Sequence, residues 1–259
     1  MEILIIKIAA SIIIGFFAGP AAVYVFNHMP ASWLCEYGEA PEDPRLAKGE
    51  KRIKENPWRW VYSVGFICLC LRLSLIEYSD GLLTVQEGAG VATVQLAIAG
   101  LIACWIMLII ALADLKFMII PDQFVLLLAL SAIGFAPMWK VETIGDGAEG
   151  MLNGITGFWQ PLIGMAIGGG FMLLCAVAGK LIFKQQVFGF GDVKLCAAIG
   201  LVLGINGTIV SIAAAVIISG FTAAAGLASG RYKKGDQKPL GPYLCGCAMA
   251  YIMIVMPLM

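Results

Sequence analysis

Histidine is almost missing from this chain of 259 residues: His28 is the only one. Its scarcity excludes H-E-x-x-H metalloprotease chemistry. A serine–histidine pair would have to use His28, and no G-x-S-x-G elbow accompanies it. Charge is scarce as well. Lys, Arg, Asp and Glu make up 13% of the residues, against about 25% in soluble domains. Acids and bases cancel to a formal net charge of zero, so no basic excess draws the chain to nucleic acid. Eight cysteines are present but no C-x-x-C, and most of them lie inside apolar runs. The pairs Cys68/Cys70 and Cys245/Cys247 would turn their thiols to different faces of a helix. That pattern speaks for buried apolar thiols, against a disulfide framework or a zinc site.

What fills the chain instead is apolar. Hydrophobic residues reach 60% and the mean hydropathy is +0.90. A bilayer-spanning helix needs about 20 mostly apolar residues, and eight segments qualify: roughly 3–26, 59–78, 91–114, 122–139, 158–183, 191–204, 207–229 and 241–258. The sixth is short and rich in glycine. The first has too long an apolar run for a cleaved signal peptide, and Glu2 stands where a basic n-region would be, so it reads as a retained helix. The expected fold is all-α, a polytopic integral membrane bundle of about eight transmembrane helices embedded in a lipid bilayer.

Orientation follows from Lys and Arg, which collect in cytoplasmic loops. The 27–57 loop holds Arg45, Lys48, Lys51, Arg52 and Lys54, with Arg59 just beyond. If that loop is cytoplasmic, alternate connections should be basic too. They carry Lys116, then Lys180, Lys184 and Lys194, then Arg231, Lys233, Lys234 and Lys238. The other side has Lys140 in a loop and Lys7 and Arg72 within spans, so fourteen of the seventeen cations fall on one side. Eight spans with both termini outside satisfy this alternation in a cell inner or plasma membrane, and adding or dropping one span breaks it. The same 27–57 loop begins with an acidic run, Glu36, Glu39, Glu42 and Asp43. It reads as a solvated loop of mixed charge or as a docking surface for a basic peptide.

Two carboxylates stand out on this background. Asp114 closes the apolar run 98–113, and Asp192 opens another within Gly189-Phe190-Gly191-Asp192. Ionisable groups at the ends of spans are costly and point to function. At a helix C-terminus a carboxylate is disfavoured by about 0.3–1 kcal/mol, so capping does not account for Asp114, although an ion pair with Lys116 or Lys194 would. Pro121 ends the helix, and Asp122 then occupies a reasonable N-cap position for the next one. Asp192 taken alone fits an N-cap and a catalytic acid equally well. Gly189 and Gly191 would let the backbone turn sharply there, and Lys194 would balance local charge or contact a substrate carbonyl. The topology puts Asp114 and Asp192 on the same cytoplasmic side. Two acids sharing one proton perform the chemistry of an aspartic protease: the ionised one activates water while the protonated one donates to the scissile carbonyl oxygen. Neither acid needs a metal or another cofactor. Gly164-x-x-x-Gly168, continuing to Gly169 and Gly170, reads as a close-packing surface.

These residues resemble the type IV prepilin peptidase family, membrane aspartic proteases of the GxGD type. The likeness rests on the segment Asp114 to Asp122, on Gly189-Phe190-Gly191-Asp192-Val193-Lys194-Leu195, and on Pro239-Leu240-Gly241-Pro242-Tyr243. It runs from about Ala97 to Tyr243. It implies Asp114 and Asp192 as the catalytic pair and Gly189, Gly191, Lys194, Pro121 and Asp122 as supporting residues. The implied reaction removes a short basic leader from type IV prepilin or pseudopilin precursors, after a glycine and before a hydrophobic helix. The chain then divides into an N-terminal two-helix region, 1–90, and a GxGD-type peptidase core, 91–259. Many bacterial members carry two C-x-x-C pairs in the first cytoplasmic loop and methylate the new N-terminus with S-adenosylmethionine. This loop has only Cys35, which sets the chain apart from that second activity. The alternative, a transporter or channel binding cations or protons, calls for ionisable residues near span centres, whereas these acids lie at span ends.

Overall fold

The computed structural model describes residues 2–34, 52–54, 56–79, 89–136, 159–183, 189–230 and 238–255, the helix ends at 2–7, 73–79, 89–94, 182–183 and 255 by backbone alone. Among the described residues there is no strand. The helices are α1 (Glu2–His28), α2 (Trp58–Ser79), α3 (Ala89–Phe117), α4 (Asp122–Ser131), α5 (Trp159–Phe183), α6 (Phe190–Ala228) and α7 (Gly241–Ala250). A 3-10 turn, Ala132–Phe135, extends α4, and a π-helical turn, Tyr251–Val255, extends α7. Helix therefore occupies each of the eight apolar segments, the sixth and seventh being the two parts of α6. Four stretches are long and apolar enough to cross a membrane: Ile8–His28, Gln95–Phe117, Trp159–Leu181 and Phe190–Ala228.

The outer surface supports the same environment. Leu181, Phe221, Leu174 and Ile133 are 70–75% exposed, while Ile109, Ile110, Leu195 and Leu244 are fully buried. Large apolar side chains turned outward on long apolar helices identify a multi-pass membrane protein.

Close packing is built from small residues. Pro20 lies inside α1, so the Phe16 carbonyl loses its usual helical partner, and Ser63 Oγ of α2 donates to it at 3.0 Å. That approach is possible because a Cβ at Gly19 would collide with Ser63. The indole Nε1–H of Trp105 in α3 donates to the Ala18 carbonyl at 3.1 Å, tying α1 to the core.

Gly204 interrupts α6 with φ 68° and ψ −164°. Gly164 of α5 packs against Gly200 and Gly204, whereas Gly168 packs against both Cys196 and Thr208. In a straight helix residues 196 and 208 would stand about 18 Å apart. Both meet the same glycine, so the chain folds back at Gly204 into an antiparallel pair, 190–203 and 205–228. Gly169 also approaches its neighbour, at Ala197, while Gly170 faces open space. The glycine stripe of α5 thus serves packing.

The helix ends that matter gather at one end of the bundle. The ring of Phe26, near the end of α1, stacks on Phe117 at the end of α3, with centroids 6.2 Å apart. Trp33 meets Phe124 of α4 edge-on at 6.1 Å. Arg52, buried, donates from Nη1 to the Phe26 carbonyl at 3.0 Å. Asn27 and Ile53 exchange two hydrogen bonds, at 3.1 and 2.8 Å.

Candidate active site

Asp114 sits in the last turn of α3 and is only 5% exposed. Its own helix offers it no free donor, since the C-terminal end of a helix presents carbonyls. The donor comes from α7, where the N–H of Gly241 reaches Oδ2 at 2.8 Å. The first N–H groups of a helix have no internal partner, so Asp114 caps α7 across 127 residues of sequence. Glycine is needed at 241 because a Cβ there would lie 2.6 Å from that oxygen and 3.1 Å from Cγ.

Beyond Asp114 the chain must leave α3 sharply. Met118 takes φ 56°, a left-handed conformation that costs a non-glycine residue about 1–2 kcal/mol, and its N–H closes onto the Asp114 carbonyl at 2.9 Å. Pro121 is the N-cap residue of α4, with φ −69° and ψ 120°. This corrects the N-cap reading of Asp122: Asp122 is the first helical residue, and α4 has no side-chain cap. Its carboxylate instead receives Lys194 Nζ at 2.9 Å on Oδ1 and 2.7 Å on Oδ2. Lys194, one of the two candidate cations for Asp114, thus binds Asp122.

Asp192 lies in the first turn of α6, whose N-cap is Gly189. Oδ2 accepts the Gly189 N–H at 3.2 Å, while the Asp192 N–H bonds the Gly189 carbonyl at 3.2 Å. The carboxylate therefore serves the helix start from its third position and is not itself the N-cap. The glycines also act differently from the expected sharp turn. Gly189 has φ −75°, and the positive-φ glycines among the described residues are Gly204 and Gly230. What Gly191 permits is close approach, because a Cβ there would lie 3.2 Å from Ile120. The 118–121 segment thus packs directly onto the first turn of α6.

The outcome is that Asp114 and Asp192 come within electrostatic reach of one another. Cys245, fully buried in α7, lies within reach of both. Each carboxylate is oriented by one backbone N–H on its Oδ2, and among the described residues neither Oδ1 has a hydrogen-bond donor. Beside them Lys194 sits 5.1 Å from the centroid of the exposed Phe190 ring. Among the described residues no three His, Cys, Asp or Glu side chains gather as metal ligands would. Glu36, Glu39, Glu42, Asp43 and Cys35 lie outside the described residues. Sequence reasoning missed the role of Gly241 and the Lys194–Asp122 pairing. The glycine stood inside the noted Pro239–Tyr243 element, but nothing local marked it as the partner of Asp114.

Residues 101–224 match the type IV leader peptidase family. Over 190 residues the chain is 25% identical to a prepilin leader peptidase/N-methyltransferase of Aeromonas hydrophila, covering 72% of the chain and 61% of the relative. Over 148 residues it is 28% identical to the protein of that description from Bacillus subtilis, covering 57% of the chain and 52% of the relative. The chain thus spans between half and two thirds of the length of these relatives. No solved structure matches it significantly. The matched segment contains both aspartates, and over it the chain is similar to the type IV leader peptidase family.

Proposed function

We propose that the chain is a membrane aspartic endopeptidase that cleaves the basic leader peptide from type IV prepilin or pseudopilin precursors at the cytoplasmic face. One observation carries the reading: two carboxylates from distant helix ends converge, each held by one backbone amide and each with a second oxygen left over. In the proposed reaction the ionised member takes a proton from water as its oxygen attacks the scissile carbonyl carbon. The protonated member donates to the carbonyl oxygen, giving a tetrahedral diol. Collapse breaks the C–N bond, returns a proton to the departing amine, and leaves a carboxylic acid on the leader.

The cytoplasmic assignment rests on the distribution of Lys and Arg, and so does the count of eight crossings with both termini outside. The same reading assigns chemistry to 91–259 and leaves 1–90 as a two-helix region whose loop meets the leader. The acidic run from Glu36 to Asp43 complements a basic leader in charge. The relatives' printed description includes N-methyltransferase. We assign this chain the peptidase step alone, because its first loop offers one cysteine, Cys35, where the methylating members resembled above carry two C-x-x-C pairs.

Co-expression of a prepilin with wild type, Asp114→Asn or Asp192→Asn tests the assignment by gel mobility. Wild type should shift the precursor to the shorter form, and each variant should leave it at least a hundredfold slower to process, the order of loss typical of deleting a general acid or base. Full processing by either variant would sink the assignment. Mass spectrometry of the new N-terminus should show it unmethylated.

A further inference from the structure

The site contains an ion pair that the acid–base chemistry does not use. Lys194, in the second turn of α6, is bonded through Nζ to both oxygens of Asp122, the first residue of α4, at 2.9 and 2.7 Å. The two side chains are 35% and 32% exposed, so water reaches the pair and its contribution to overall stability is small. Its position is what distinguishes it. Asp122 follows Asp114 by eight residues through the constrained segment of Met118 and Pro121, and Lys194 follows Asp192 by two. The pair therefore joins the two short arms that carry the two candidate acids. A further contact between those arms is apolar, Ile120 against Gly191, and an apolar contact constrains distance more than direction. Two charge-assisted bonds to one carboxylate fix direction as well as distance.

From this geometry we infer that Asp122 and Lys194 are positioning residues, a strap that sets the separation and orientation of Asp114 and Asp192. The inference rests on the peptidase reading above. Neither residue exchanges a proton with substrate in this role. A misplacement of about 1 Å in a catalytic group is enough to cost roughly a hundredfold in rate, so the strap acts on turnover. Substrate affinity, set by the leader and the hydrophobic segment, should change little.

The test is single-turnover and steady-state processing of a prepilin in membranes, by full-length wild type, Asp114→Asn, Asp122→Asn, Lys194→Met and the exchange Asp122→Lys/Lys194→Asp. Each single strap variant should lose at least tenfold in kcat with KM within about twofold. The exchange, which restores an ion pair with reversed polarity, should recover most of that loss. The Asp114→Asn control stays inactive throughout. Comparable amounts of each variant in the membrane, with unchanged melting temperature in detergent, separate positioning from misfolding. Single variants that turn over at the wild-type rate overturn the strap. So does an exchange that is folded and no faster than either single variant. A wild type that leaves the prepilin whole overturns the peptidase reading and the strap with it. A wild type that cleaves, beside strap variants that cleave equally well, overturns the strap alone.

Discussion

Asp114 illustrates how a residue can be legible in type and illegible in environment. Its cost at a helix C-terminus was readable from sequence, and local capping was rightly set aside. What local reasoning omits is capping in space, since the donor that satisfies Asp114 lies 127 positions away. The Gly241 N–H holds one carboxylate oxygen and lets the other face the chemistry. Gly241→Ala should therefore displace Asp114, because the new methyl would stand 2.6 Å from Oδ2 and 3.1 Å from Cγ. The methyl has no flexible neighbour to push aside other than the carboxylate itself. The expected result is at least a tenfold loss of prepilin processing, with the protein still present in the membrane at wild-type amounts. A Gly241→Ala variant at full rate would show that the amide contact is dispensable. Lys194 teaches a similar lesson: its charge is visible in the sequence beside Asp192 and as a candidate partner for Asp114, and only the relative placement of α4 and α6 selects Asp122.

At the scale of elements, hydropathy located every described α-helix because a lipid-embedded helix must be apolar along its length. The junctions were harder. The sixth and seventh segments are one helical run broken at Gly204, and nothing in the spacing of 31 glycines singles out the one with φ 68°. Segments 190–203 and 205–228 return along α5 because Gly164 and Gly168 let backbones touch. A Cβ on Gly164 would meet the carbonyl carbon and oxygen of Gly204 at 2.7 and 2.8 Å, and both are backbone atoms that cannot swing away. Gly164→Ala should therefore destabilise the fold by about 1–3 kcal/mol, the usual cost of overpacking. Gly170→Ala is the matched control on the same helix, since nothing lies within 4 Å of its Cβ position. Thermal unfolding in detergent should show a lowered midpoint for the first and an unchanged or slightly raised one for the second, alanine being the better helix former. Equal midpoints would mean that α5 and α6 are not pressed together at this point.

For the whole molecule, two independent lines meet at the same end of the bundle. Charge counting assigns the ends of the third, fourth and sixth segments to the basic side, using the Lys and Arg in the connections and at the adjoining helix ends. Contacts in the structure bring those ends together with those of the first and eighth segments: Asp114 with the Gly241 N–H, Asp122 with Lys194, Phe26 with Phe117. An odd number of crossings anywhere between them would have separated these groups by the thickness of a bilayer, about 30 Å. Their convergence supports the alternation, and the excess of Lys and Arg supplies its direction. Phe190 and Trp159 are 67% and 64% exposed and lie at opposite ends of the bundle, beside the aspartates and beside the Gly204 reversal respectively. If the candidate site faces the cytoplasm, a membrane-impermeant maleimide should label Phe190→Cys in inside-out vesicles and leave it unlabelled in intact spheroplasts. Trp159→Cys should behave in the opposite way, each signal read above that of the parent protein with its own eight cysteines. Labelling of Phe190→Cys from outside would invert the molecule. It would place the aspartates on the face from which a basic leader, held back by the positive-inside bias that orients its own precursor, is absent.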